Sequence, residues 1–440
     1  MERESLSSVS LDWTFPYQEW FVVTTVFVLT CCYFVHRVRF PTNVSDDTRT
    51  PPKTISLLFA GDIMAHRDIT RTAYDEETQT YDYNPIFRFI KSRLSGVDFA
   101  IGNLECSVGS SPDADWANGH FTIVVPPAFV EALRNAGFDV LVTANNHAND
   151  IGKAGIVKTS ETLDEFGIRH TGAFVDGDAR RRLSPLILEK DGFRIALLAF
   201  TRHTPSERDM EPPTEMNYLE ETTIRREVER AKNMNVDQII AFVHWGKEFQ
   251  EHPDYYRQKL WFKFFKELGV NIVIGSHPHV LQPMVWDKKD DSLVVYSLGN
   301  FLADMKYFKI LALRGSAILN LVLEKRADGK VSIKTAYYEL MFIQKREIDY
   351  VAQSFAILPI AEFERNFEYF SDIANKNESM TRSATDMRRL MAVETVGIRE
   401  RGAENIDPQK LELDSKYMRM ESKAPPVRIC PSLESMKRDF

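Results

Sequence analysis

Cysteine is scarce in this chain. Cys31, Cys32, Cys106 and Cys430 form neither a metal-binding spacing nor a disulfide framework, so a cysteine-stapled scaffold is excluded. Clustered positive charge is missing as well. Lys and Arg number 55 against 63 Asp and Glu, the net charge is -8, and no basic stripe interleaved with aromatics appears. General nucleic-acid binding is therefore excluded, because phosphate neutralisation needs grouped Lys and Arg. No repeat of fixed period and no low-complexity tract is present, which removes solenoid architectures. Long hydrophobic runs are absent with one exception, Trp20–Val35, which is uncharged and flanked by Glu19, His36, Arg37 and Arg39.

That stretch is shorter than the ~20 residues of a typical spanning helix. Extension toward Phe40, with Arg37 and Arg39 snorkelling, lengthens it. We read residues 20–36 as a single-pass membrane anchor, preceded by a tail at 1–19; a buried core helix is the alternative. The acidic leader and the lack of a small-residue cleavage site argue against a cleaved signal peptide. Arg37 and Arg39 place the C-terminal flank in the cytoplasm under the positive-inside rule.

Residues 37–53 carry Pro41, Pro51 and Pro52 among polar residues and read as a linker. From Thr54 the pattern becomes regular. Helices are expected at Pro85–Leu94, Pro127–Ala136, Ala154–Phe166, Thr222–Met234 and Tyr255–Leu268. Three of them finish at a glycine suited to a left-handed cap, Gly137, Gly167 and Gly269. Helix, glycine, short apolar run, polar loop is the rhythm of a largely parallel α/β sheet. After Asn300 two long strand patterns, Ser316–Leu323 and Val331–Phe342, flank Ala327-Asp328-Gly329 and read as a hairpin. Residues 54–345 are assigned to one domain, and 346–440 to a C-terminal helical extension with a flexible tail.

Within 54–345, apolar runs stop repeatedly at residues able to bind a metal. Ile55–Ala60 runs into Gly61-Asp62, Phe99–Gly102 into Asn103-Leu104-Glu105, and Val140–Ala144 into Asn145-Asn146-His147. Ile239–Val243 runs into His244, and Ile272–Gly275 into Ser276-His277-Pro278-His279. Ligands of open α/β sheets bind at the carboxyl ends of the strands, so these groups converge on one edge. Mixed nitrogen and oxygen ligands suit zinc, iron or manganese. Asp62 and Glu105 supply the negative charge a two-metal site needs; alone, each is equally readable as a cap or a surface acid. The Asn146 amide oxygen can ligate while His147 faces the substrate as general acid or electrostatic stabiliser. Asn145 reads as a turn residue and Trp245 as packing. His277 and His279, two apart around Pro278, can serve one cluster. Arg202-His203 can recognise an anion, although a solvated loop is the plainer reading.

The segments LLFAGDIMAH, GNLECSVG, TANNHANDIG, AFVHWGKEF, VIGSHPHVLQPM and YSLGNFLAD, in that order, resemble the CapA-type capsule synthesis (poly-γ-glutamate biosynthesis) proteins of the calcineurin-like metallophosphoesterase superfamily. The resemblance spans about residues 55–304. It implies a sandwich of two β-sheets flanked by helices, with Asp62, Glu105, Asn146, His244, His277 and His279 around two divalent metal ions and His147 as the catalytic imidazole. It also implies membrane attachment with the domain outside the cytoplasm, against the Arg37 and Arg39 signal. The chain departs from the superfamily in two places. Ile63 and Met64 follow Asp62 where an Asp-x-His motif is usual, leaving His66 to compensate, and Glu105 stands where an aspartate is common. The expected function is metal-dependent hydrolysis of an anionic envelope polymer such as poly-γ-glutamate, or of its precursor. The rival is a non-catalytic assembly or export factor working with a membrane synthase.

Overall fold

The first apolar run becomes β1, Lys53–Ile63, buried without a break from Leu57 onward. Continuous burial marks a strand covered on both faces, and the even apolar run encodes it. In chain order there follow α1 (Arg67–Ala73), β2 (Phe99–Leu104), α2 (Pro127–Ala136), β3 (Val140–Val142), α3 (Gly152–Glu165) and β4 (Arg169–Thr171). Next come β5 (Leu186–Lys190), β6 (Phe193–Thr201), α4 (Glu221–Lys232), β7 (Gln238–His244), α5 (Tyr255–Glu267) and β8 (Ile272–Ser276). The chain continues through β9 (Met284–Asp287), β10 (Ser292–Val295), β11 (Asn300–Leu302), β12 (Gly315–Lys325), β13 (Val331–Ile348), β14 (Val351–Pro359), α6 (Glu378–Glu394) and β15 (Arg399–Glu400). The computed structural model describes residues 52–109, 116–117, 120–204, 210–305, 310–371 and 378–402. The anchor at 20–36 and the tail beyond 402 lie outside the described residues, among which no helix is long and apolar enough to cross a membrane.

Two sheets carry the fold. The larger has the order β4-β3-β2-β1-β12-β13-β14, with β11 beside the end of β1 and β15 beside β13. Its β1–β4 half is parallel, β12 is antiparallel to β1, β12, β13 and β14 are antiparallel to one another, and β15 is parallel to β13. The second sheet has the order β5-β6-β7-β8-β10-β9, parallel from β6 to β10 with antiparallel strands at both edges. Side chains alternate between faces with period two. Ile55, Leu57 and Phe59 therefore meet Ile195, Leu197 and Phe242 in one core between the sheets. Leu58 and Ala60 face Phe129 and Leu133 of α2, while Leu198 and Phe200 face Ile224 and Val228 of α4 and Phe265 of α5. The layering is helix, sheet, sheet, helix.

The three helix-closing glycines adopt φ of 114, 67 and 81° at Gly137, Gly167 and Gly269, where a Cβ would be strained. The Ala327-Asp328-Gly329 hairpin joins β12 to β13. The segment 85–94 differs from expectation. It forms two short helices, Asn84–Phe87 and Lys91–Leu94, because the Ile90 N–H bonds to Phe87 O at 3.0 Å and tightens the turn between them. The C-terminal boundary also differs. β12 begins opposite Phe342, but β13 continues to Ile348, turns through Asp349 and Tyr350 at φ 49 and 63°, and pairs onward with β14. Residue 345 is thus mid-strand. Met380, Met387 and Met391 of α6 enter the inter-sheet core, so residues 346–371 and 378–394 belong to the folded body.

Candidate metal centre

The carboxyl ends of β1, β2, β3, β7 and β8 meet at one edge, and each delivers a polar side chain. Asp62 comes from β1, and Glu105 directly follows β2. Asn145, Asn146 and His147 follow β3, His244 closes β7, and His277 and His279 follow β8. Asp62, Glu105, Asn145, Asn146, His244, His277 and His279 are all buried. The first ligand position depends on a close approach: a Cβ on Gly61 would stand 2.0 Å from Gly299 O, so only glycine lets β1 lie against the turn before β11. His277 and His279 take φ of 97 and 61°. Such values are costly outside glycine, and a Phe249 N–H to Pro278 O bond of 2.8 Å helps hold the turn.

Two groups of ligand-type atoms share Glu105: Glu105, His244 and His277 form one, and Asp62, Glu105 and His279 the other. His244 Nε2 lies 2.7 Å from Asn146 Oδ1, 3.0 Å from His277 Nδ1 and 3.3 Å from Glu105 Oε1. His279 Nδ1 lies 3.3 Å from Asp62 Oδ2 and 3.0 Å from Asn300 Oδ1, with Nε2 3.8 Å from Glu105 Oε1. Both Glu105 oxygens are buried without a hydrogen-bond partner among the described residues. A hydrogen bond between Glu105 and its acid neighbour Asp62 needs a proton on one of the two, and the protonated acid is the donor. A buried acid with no donor, set between imidazoles and another acid, fits a divalent cation.

Electrostatics follow from that crowding. Burial, then the charge of Asp62, pushes the Glu105 carboxyl well above the usual range. For Asp62 burial is outweighed by the hydrogen bond and charge of His279, which hold its pKa down and raise that of His279 in turn. Burial, with nearby imidazoles adding and Asp62 opposing, lowers His244 to about 3. Burial lowers His277 well below the ordinary value. Two neutral, metal-competent imidazoles at neutral pH are the result.

His147 stands apart. Its side chain is 15% exposed, and its Nδ1 is 2.9 Å from Asp150 Oδ2. That pairing places the proton on Nδ1 and leaves Nε2 for chemistry. Asp150 Oδ2 also accepts the Ile123 N–H at 2.6 Å, which locks the acid. Asp150 was not singled out by the sequence, although its place three residues after His147 is a usable signal.

Other supporting residues were equally silent. Asn103 donates to Asp62 Oδ1 at 2.8 Å, and Ser276 Oγ pairs His244 Nδ1 at 3.0 Å. Asn145, expected as a turn residue, donates instead to Asn103 Oδ1 at 3.0 Å and Leu104 O at 2.8 Å. Glu248, exposed, joins His277 and His279 in a third possible ligand group. His66 is buried, lies outside all three groups, and its Nδ1 accepts the Asp304 N–H at 3.2 Å. Trp245 packs as expected, donating to Tyr296 O at 2.9 Å.

Fold and edge together define an α/β protein with a cation-competent pocket of carboxylate, amide and imidazole groups. Residues 56–305 match the family "Bacterial capsule synthesis protein PGA_cap", and the chain belongs to that family. It is 27% identical over 293 residues to "Capsule biosynthesis protein CapA" of Bacillus anthracis, covering 61% of this chain and 66% of the relative. It is 26% identical over 293 residues to "PGA biosynthesis protein CapA" of Bacillus subtilis (strain 168), covering 63% and 70%. Among solved structures, the calcineurin-like phosphoesterase YfkN from Bacillus subtilis aligns with a TM-score of 0.41 at 13% identity, over 77% of this chain and 98% of that one.

Proposed function

We propose that this protein is a membrane-anchored, metal-dependent hydrolase of capsule or poly-γ-glutamate biosynthesis, acting on an anionic envelope polymer or its precursor. The observation that carries the reading is Glu105, a fully buried carboxyl group that accepts no hydrogen bond among the described residues and is shared between two ligand groups. Asp62, Glu105, Asn146, His244, His277 and His279 would hold up to two ions. Such a pair, when bound, supplies Lewis acidity and a nucleophile at neutral pH. Asn103 and Ser276 orient Asp62 and His244, and Asn300 orients His279. His147 moves the proton through Nε2 to the leaving group, with Asp150 holding its ring. Trp20–Val35 anchors the chain, with the domain outside the cytoplasm; protease added to cells stripped of their wall then digests the domain, and protection until lysis overturns this topology.

One observation favours the assembly or export factor. Ile63 and Met64, which follow Asp62, are both fully buried apolar residues, so this segment contributes one ligand fewer than an Asp-x-His motif. Metal analysis of the detergent-purified chain separates the two readings. The hydrolase is expected to hold one to two equivalents of manganese, iron or zinc and to turn over γ-glutamyl polymer or a model phosphoester. His277→Ala is expected to lose most of one equivalent; unchanged metal content removes His277 from the ligand set. Bound polymer with no turnover of either substrate selects the assembly factor.

A further inference from the structure

Immediately after β6 the chain turns beside the histidine cluster. The Arg202 backbone N–H donates to His244 O at 3.0 Å, and its Nη1 donates to Gly246 O at 3.2 Å. Main chain and guanidinium are thereby fastened to the segment that carries His244. Thr201 Oγ1 donates to His203 O at 3.1 Å, and the His203 ring stands edge-on to His277, centroids 5.7 Å apart at 86°. This corner is the flank of the cluster nearest His277.

The first turn of α5, which carries Arg257, lies against the same segment: a Cβ on Gly246 would stand 3.2 Å from Gln258 Nε2 and 3.3 Å from Pro278 Cγ. Burial and then the charge of Arg257 lower the pKa of Arg202, with Asp254 opposing. The Asp254 carboxylate is already engaged as the helix cap, its Oδ1 accepting the Arg257 N–H at 3.3 Å. Neither Arg202 nor Arg257 makes an ion pair among the described residues, and Arg202 commits one of its five donors. Arg93 is paired with Glu339 and Glu362 and Arg388 with Glu364 and Glu400, whereas half-buried Arg314 bonds Ile343 O and makes no ion pair among the described residues. Two guanidiniums borne on either side of the Gly246 segment, one of them pinned to it and neither ion-paired among the described residues, suit an oxyanion that accepts from both.

We infer that Arg202 and Arg257 bind an anionic group of the substrate, a carboxylate or a phosphate, on the His277 flank of the metal cluster. The substrate then carries two points of attachment, the reacting bond at the cluster and an oxyanion beside it. A polymer with one carboxylate per unit meets that demand, because a neighbouring unit supplies the second group. The placement of the reacting bond rests on the hydrolase reading; the anion site itself does not.

The test measures binding and metal separately on the full chain in detergent. A fluorescent γ-glutamyl oligomer and inorganic phosphate are the two probes, which separate the carboxylate from the phosphate source. Loss of a charge-assisted hydrogen bond corresponds to about 10–100-fold in affinity, so Arg202→Ala with Arg257→Ala is expected to weaken the preferred probe by at least about tenfold. Metal content is expected to stay at the wild-type value. Arg202→Lys, which keeps charge but loses the fork, is expected to fall between. If Arg202→Ala does not fold, Arg257→Ala alone carries the test. Unchanged affinity in the double variant overturns the inference, as does a wild-type chain that binds neither probe. A chain without metal whose oligomer affinity still depends on the pair sinks the hydrolase reading and leaves the anion site standing.

Discussion

Two glutamates among the described residues are completely buried, and they live in opposite surroundings. Glu227 on α4 receives Arg180 Nη2 at 3.2 Å and Arg226 Nε at 3.1 Å on one oxygen, and Ser184 Oγ at 2.8 Å on the other. Glu105 receives no donor among the described residues and faces Asp62. Burial of a charge costs several kcal/mol unless partners replace the lost water. Glu227 has its partners in the chain, so its contribution is to hold α4 against the helix Gly177–Leu183. Glu105 lacks them, so burial pushes its carboxyl well above the usual range and leaves its oxygens suited to a cation supplied from outside. Burial alone therefore does not separate structural from functional acids here; the inventory of donors does.

The contrast can be broken by experiment. The widest gap is expected in turnover: His147→Ala should lower kcat by ~10²–10⁴-fold with metal content retained, whereas Glu227→Ala should leave kcat per folded molecule unchanged. Steady-state kinetics with a model phosphoester or γ-glutamyl polymer checks both, and wild-type turnover by His147→Ala removes the catalytic assignment. Next comes stability. Glu227→Ala removes one of the partners of Arg180, which keeps Glu215 and Asn217, and the acceptor for Ser184 Oγ, and is expected to cost about 1.5–3 kcal/mol in urea denaturation. A loss under about 1 kcal/mol would place Glu227 among weak surface pairs. Glu105→Gln is expected to act in the reverse direction. The metal-stripped variant should be as stable as the stripped parent, or more stable by about 1–3 kcal/mol, while metal stoichiometry falls. Destabilisation as large as that of Glu227→Ala would show that Glu105 is structural. The smallest effect is expected near Arg180, where Asp176 caps the helix by accepting the Ala179 N–H at 2.7 Å. Asp176→Ala should lower stability by about 1 kcal/mol.

Much of the ligand edge was legible because strand period and ligand chemistry coincide locally. An apolar run ending in Asp62, Glu105 or His244 announces both the strand and the group at its end. The glycine caps were legible for the same reason, since Gly137, Gly167 and Gly269 each satisfy a purely local backbone demand. What escaped depends on distant pairing. Asn103 reads as one more strand residue until β1 and β7 place Asp62 and His244 beside it. Glu227 reads as a solvated helix acid until Arg180, forty-seven positions earlier, lies against it. β14 falls in the segment that the sequence alone assigns to a helical extension, because its partner strand, not its own composition, makes it a strand.

The strand order also bears on how this chain is made. β1 is flanked on one side by β2 and on the other by β12, with Lys53 opposite Lys325. A nascent chain therefore presents β1 as a bare edge until residues 315–325 have emerged, and contacts of such long separation form slowly. Unpaired edges recruit other strands, so truncations ending before Gly315 should aggregate, and the unfinished chain is a natural client for chaperones.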